Sequence, residues 1–263
     1  MSLDKEKNIS QKLKLQSYFK EFSDKILLID VYGREISYET IFNDSLKLIH
    51  FFKKEGLKKN SKILILSNNC VNYLIVLIAC LFGGYMVCPV DPNMKTERLR
   101  ELKKILNIDY VINDANKLEF DNFQPDSSVI NYENNDFLII YSSGTTGDPK
   151  GILFSSDSFL KSAQSFSGLA GYDEQTKIFH CLPMFYMAGI LNTFFACLFS
   201  GSTVVVGEKA SISNILNFWE LPKKFNVNSL HLTPSIVGSI CEMYRPNLEI
   251  NKHVHEYKSI IST

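Results

Sequence analysis

A mainly parallel α/β fold is predicted by three observations. Short apolar runs that end at Gly, Pro or Asn alternate with stretches of helical period along nearly the whole chain. No low-complexity linker and no fixed-period repeat breaks that alternation, so one continuous multilayer unit is expected. At 263 residues and 45% hydrophobic content, the chain can bury a large core.

The elements follow in order. Ser37 is placed to cap a helix with Phe42, Leu46 and Ile49 on one face, ending at Gly56. Residues 63–66 read as a strand, 71–82 as a helix and 85–90 as a second strand. The uncharged stretch from Tyr73 to Val90 approaches membrane-spanning length, but Gly83 and Gly84 divide it and Pro89 lies near its end. A buried helix followed by a buried strand accounts for it better. Thr96 is expected to cap a helix that aligns Leu99, Leu102 and Leu106, with a strand at 110–112. Strand, helix, strand, helix, strand implies parallel pairing with right-handed crossovers. Phe137 to Tyr141 forms an apolar strand, and 151–154 is expected to pair back onto it. Phe159, Ala163 and Phe166 mark another helix. Strands at 177–182, 203–206 and 229–233 are separated by helical stretches at 189–199 and 213–225, the second interrupted by Pro222.

Charge and cysteine usage exclude several classes. The 28 basic and 28 acidic side chains balance and do not cluster, which leaves no footprint for nucleic acid or an acidic membrane. Cys70, Cys80, Cys88, Cys181, Cys197 and Cys241 all sit in apolar runs without CxxC spacing. They read as reduced core residues of a cytoplasmic protein. His180 and His231 lie in strand-like runs and read as structural; His253 and His255 have metal-like spacing but no third ligand, and read as a surface pair.

The strongest chemical signal is Tyr-Ser-Ser-Gly-Thr-Thr-Gly-Asp-Pro-Lys-Gly from Tyr141 to Gly151. Gly144 and Gly147 permit close backbone approach, so several N–H groups can converge on one anion. Ser142, Ser143, Thr145 and Thr146 add hydroxyl donors and Lys150 a compact positive charge. This suits a polyphosphate. It is not a Walker loop, because Asp148 and Pro149 follow Gly147 and Gly151 follows Lys150.

The ordered string resembles the signature of the adenylate-forming (AMP-binding) superfamily: acyl- and aryl-CoA synthetases, peptide-synthetase adenylation domains and luciferases. The likeness covers roughly residues 24–263 and includes Ile36-Ser-Tyr-Glu39, Ser67-Asn-Asn69 and Pro89-Val-Asp-Pro92. Leu182-Pro-Met-Phe-Tyr-Met-Ala-Gly189 is similar to a motif usually written Leu-Pro-x-Phe-His-x-x-Gly, and His231-Leu-Thr-Pro-Ser235 to the segment beside the acyl pocket. The resemblance implies two mainly parallel sheets flanked by helices, the first and last parts of the chain sharing one sheet. It also implies that residues 1–263 are a partial N-terminal domain, without the C-terminal lid domain or its adenylation lysine.

The implied reaction is ATP-dependent activation of a carboxylic acid. Acid and ATP give acyl-adenylate and pyrophosphate, and a thiol, coenzyme A or a carrier-protein thiol, then takes the acyl group. The resemblance assigns phosphate contacts to Ser142, Ser143, Gly144, Thr145, Thr146, Gly147 and Lys150, with Lys150, Thr145 and Thr146 nearest the chemistry and Mg²⁺ bridging phosphate oxygens. Asp148, at the variable position, is expected to point away. Phe185, Tyr186 and Gly189 are the candidates for the acid side. Tyr186 stands where many relatives have histidine, which puts that histidine's role in doubt. Three other readings stay open: a noncatalytic nucleotide or acyl binder, which is the behaviour expected of the chain alone, a peptide-synthetase-type adenylation domain, and an unrelated phosphotransferase.

Overall fold

The computed structural model describes residues 10–142, 150–211, 213–242, 257 and 259–262. Two sheets divide the strands. The first runs in the order β11-β10-β8-β9-β1-β2 and the second β5-β3-β4-β6-β7. The first comprises β1 (Ile26–Ile29), β2 (Glu35–Ser37), β8 (Lys177–His180), β9 (Thr203–Val206), β10 (Ser229–Leu232) and β11 (Ser259–Ser262). The second comprises β3 (Lys62–Ile65), β4 (Met86–Pro89), β5 (Tyr110–Ile112), β6 (Asp136–Ser142) and β7 (Lys150–Ser155). All neighbouring strands are parallel except β1 with β2 and β6 with β7. The first and last parts of the chain do share a sheet, through Leu28 paired with Val204.

The period-2 alternation of strands sorts side chains into three cores. Ile63, Ile65, Val87 and Phe137 from one sheet meet Leu28, Ile178 and Val204 from the other in a shared core. That core also holds α1 (Gln11–Glu21), α2 (Tyr38–Lys54), α3 (Val71–Gly83) and α5 (Ser156–Leu169). On the far side of the second sheet, Leu64, Cys88 and Ile139 pack with Leu102 of α4 (Thr96–Leu106). On the far side of the first, Ile29, Phe179, Val205 and Leu230 pack with Ile215, Phe218 and the inner face of α8 (Pro234–Glu242).

Local chemistry explains the boundaries. Ser37 caps α2 by accepting from Thr40 N at 3.1 Å. Gly84 ends α3 at φ +73°, a left-handed position that suits glycine, and β4 follows at once. Among the described residues no helix is long and apolar enough to cross a membrane.

Several expectations need correction. Thr96 does not cap α4; Leu99 N already bonds Lys95 O at 3.0 Å, so the first turn closes one residue earlier. The 213–225 stretch is a 3₁₀ turn (Ile215–Asn217) and a short helix, α7 (Glu220–Lys224), that contains Pro222. The 189–199 helix is a π-helix (Ala188–Phe195) continued by α6 (Ala196–Leu198). Cys80, Cys88, Cys181 and Cys197 are buried as expected, but Cys70 is half-buried and Cys241, at the end of α8, is exposed. Burial pushes the Cys88 and Cys181 thiols up to about 12, which argues against either as a nucleophile. α1, β1 and β2 were not anticipated.

Candidate active site

In an open α/β sheet, ligands bind beyond the carboxyl ends of parallel strands, where helix starts and loops leave polar groups free. β3, β4 and β6 are parallel neighbours, so the connection that follows β6 departs from their shared carboxyl end. β6 and β7 remain paired up to Ser142 and Lys150. Ser143, Gly144, Thr145, Thr146, Gly147 and Asp148, together with the side chains of Ser142 and Lys150, lie outside what is described. The frame around them is described. Tyr141 pairs directly with Gly151, and a Cβ on Gly151 would meet Tyr141 Cε2 at 3.2 Å and Ile139 Cγ2 at 3.3 Å. The first and last residues of the signature thus fit each other across the hairpin, ring against glycine.

The second part of the site is the segment after β8. Tyr186 N bonds Pro183 O at 3.2 Å, which folds the chain back before the π-helix begins. Gly189 packs so closely beneath this turn that a Cβ there would lie 2.3 Å from Pro183 O. Phe185 is 9% exposed and Tyr186 55%, their ring centroids 4.7 Å apart. Tyr186 is therefore not a core aromatic; its phenol faces open space. Lys209, just beyond β9, places its ammonium 5.5 Å from the Phe185 centroid.

His180 supports this segment from below. Thr193 Oγ1 donates to Gly189 O at 2.8 Å, which uses its only proton, so it accepts from His180 Nδ1–H in the 2.7 Å contact between them. Burial pushes the His180 ring down to about 4, so it is neutral at pH 7. His231 is buried in β10 with its ring centroid 5.6 Å from that of Phe166. His253 and His255 lie outside the described residues.

A residue that the sequence offered only as part of a corner joins the two halves. Asn69 Nδ2 donates to Leu182 O at 2.8 Å and Gly207 O at 3.2 Å, and Asn69 Oδ1 accepts from Met184 N at 3.0 Å. The carboxyl ends of β3, β8 and β9, from both sheets, therefore converge on one amide. Lys209 and Thr193 were likewise missed. The first could have been found from its place just past a strand's carboxyl end, whereas nothing local marks the second.

The profile of the family described as AMP-binding enzyme matches residues 15–136 and 112–261, which is nearly the whole chain. The chain belongs to that family. A malonate–CoA ligase of Arabidopsis thaliana is 30% identical over 130 residues, 49% of this chain and 21% of that protein. A nonribosomal peptide synthetase of Gibberella zeae is 20% identical over 244 residues, 85% of this chain and 3% of that protein. Among solved structures, ATP-bound MatB from Rhodopseudomonas palustris superposes with a TM-score of 0.81 at 16% identity, covering 97% of this chain and 55% of MatB. The chain thus spans about half the length of MatB and far less of the other two. The superposition on MatB agrees with the two-sheet fold, and the sequence relatives include both a CoA ligase and a peptide synthetase.

Proposed function

We propose that the whole protein activates a carboxylic acid with ATP, forming acyl-adenylate and pyrophosphate, and then passes the acyl group to a thiol. The observation that carries this is the Tyr141–Gly151 signature, whose two ends pair as β6 and β7 beside the parallel strands β3 and β4, in a chain of the AMP-binding enzyme family.

Carboxylate oxygen attacks the α-phosphorus in line, and two anions must approach. Ser142, Ser143, Thr145 and Thr146 hydroxyls, backbone N–H groups at Gly144 and Gly147, and the Lys150 ammonium would hold the β- and γ-phosphates. They neutralise charge growing on the departing pyrophosphate and fix the attack angle. Phe185, Tyr186 and Gly189 would flank the acid, with the Tyr186 phenol able to donate to a carboxylate oxygen. Mg²⁺, as the family resemblance implies, would accompany the nucleotide and offset phosphate charge. Coenzyme A is the favoured acceptor, since the Tyr-Ser-Ser opening leans toward CoA synthetases, and six cysteines in apolar runs without CxxC spacing favour a cytoplasmic setting.

ATP–pyrophosphate exchange with a panel of carboxylic acids tests the reading. Exchange that depends on one acid class supports it. Nucleotide binding without exchange, or transfer of the γ-phosphate, would overturn it.

A further inference from the structure

We propose that Asn69 is a positioning residue for the acid substrate, its amide holding the 182–189 segment, and with it Phe185 and Tyr186, over the carboxyl ends of the strands. This rests on the carboxylate-activation reading. Three hydrogen bonds define the clamp: to Leu182 O at 2.8 Å, to Gly207 O at 3.2 Å and from Met184 N at 3.0 Å. Both amide protons and the carbonyl oxygen are used, and the partners fix which end is which, since two are acceptors and one a donor.

All three partners are backbone groups. Leu182 and Met184 flank Pro183, whose carbonyl sets the turn at Tyr186 and lies against Gly189. Gly207 opens the stretch that brings Lys209 to the Phe185 ring. Asn69 itself stands at the corner between β3 and α3. One side chain therefore sets the distance between the end of β3 in the second sheet and the segments after β8 and β9 in the first. Because the clamp reaches Tyr186 only through backbone, its loss should displace the acid more than the nucleotide.

Asp is nearly isosteric with Asn but offers acceptors alone, so Asn69→Asp would set a carboxylate against two carbonyl oxygens. Asn69→Ala removes the clamp outright. Acid and ATP KM values are measured by pyrophosphate exchange for the unaltered protein and both variants, and hydrogen exchange is followed in the peptide containing Met184. The expected result is an acid KM raised at least about tenfold, an ATP KM within about twofold, and at least about tenfold faster exchange at Met184, in variants that still unfold cooperatively. A distortion of the whole site would instead move both KM values together, whereas loss of folded protein alone would lower the rate and move neither. Both KM values raised together, or an acid KM within about twofold of the unaltered value, overturns the role. Should Asn69→Ala not fold, Asn69→Asp, which preserves volume, decides the point. If the unaltered protein exchanges with no acid, the carboxylate reading fails and takes this role with it; if it exchanges and the variants match it, only this role fails.

Discussion

A methyl group at Gly189 would overlap the carbonyl of Pro183, and neither atom belongs to a side chain that could swing aside. Gly189→Ala is expected to destabilise the protein by about 1–3 kcal/mol in urea unfolding and to raise the acid KM, because the turn under Tyr186 must open. His180 gives a prediction with a sign. Its folded pKa is depressed to about 4 from 6.5, so an unfolded chain takes up the proton first as pH falls. The stability tied to the neutral ring is complete above about pH 6.5 and lost progressively down to about pH 4, amounting to about 3 kcal/mol. In His180→Gln that loss disappears, so the stability gap between variant and unaltered protein should narrow by about this amount between pH 7 and pH 4, as read by urea unfolding. A gap that stays constant would contradict a buried neutral histidine.

At the level of elements, patterns that rest on local chemistry were legible, and those that rest on tertiary partners were not. Ser37 announced α2 because an N-cap hydroxyl needs only the amide three residues on, and Ser37→Ala should cost about 1 kcal/mol of thermal stability. Its neighbour Tyr38 does more than the sequence suggested. Its buried hydroxyl donates to Ser202 O at 2.8 Å and contacts Cys197 O at 3.1 Å, tying α2 to the end of the helix after β8. Tyr38→Phe should cost about 1–3 kcal/mol, since two buried carbonyls lose a donor. α1 escaped notice for a physical reason: Lys12 and Gln16 are among its buried residues, so its buried face is not an apolar stripe. Lys12 bonds Asn131 O at 3.0 Å and Asn135 Oδ1, partners more than a hundred residues away, and burial lowers it to about 8. The helix at 188–195 was visible as a helix but not as a π-helix, because a short apolar run does not distinguish the two windings.

Across the whole molecule, the sequence offered the phosphate signature as a string, and the structure pairs its ends, Tyr141 with Gly151, where β6 meets β7. Local patterns could order the strands along the chain, but only the family resemblance put its first and last parts in one sheet; the strand that does so, β1 beside β9, was not among those expected. Nor could any spacing rule find Asn69, whose partners lie 113 and 138 residues downstream. The carboxyl ends of β3, β8 and β9 meet at Asn69, and the proposed reaction would take its phosphate side from the second sheet and its acid side from the first. The proposed function has Lys150 act on phosphate leaving, not on acid selection. The direct measurement is carboxylate-dependent ATP–pyrophosphate exchange in Lys150→Ala. A rate at least about tenfold below the unaltered protein, with the acid KM unmoved, is the result expected of a side chain that stabilises departing pyrophosphate. An unchanged rate would contradict the account.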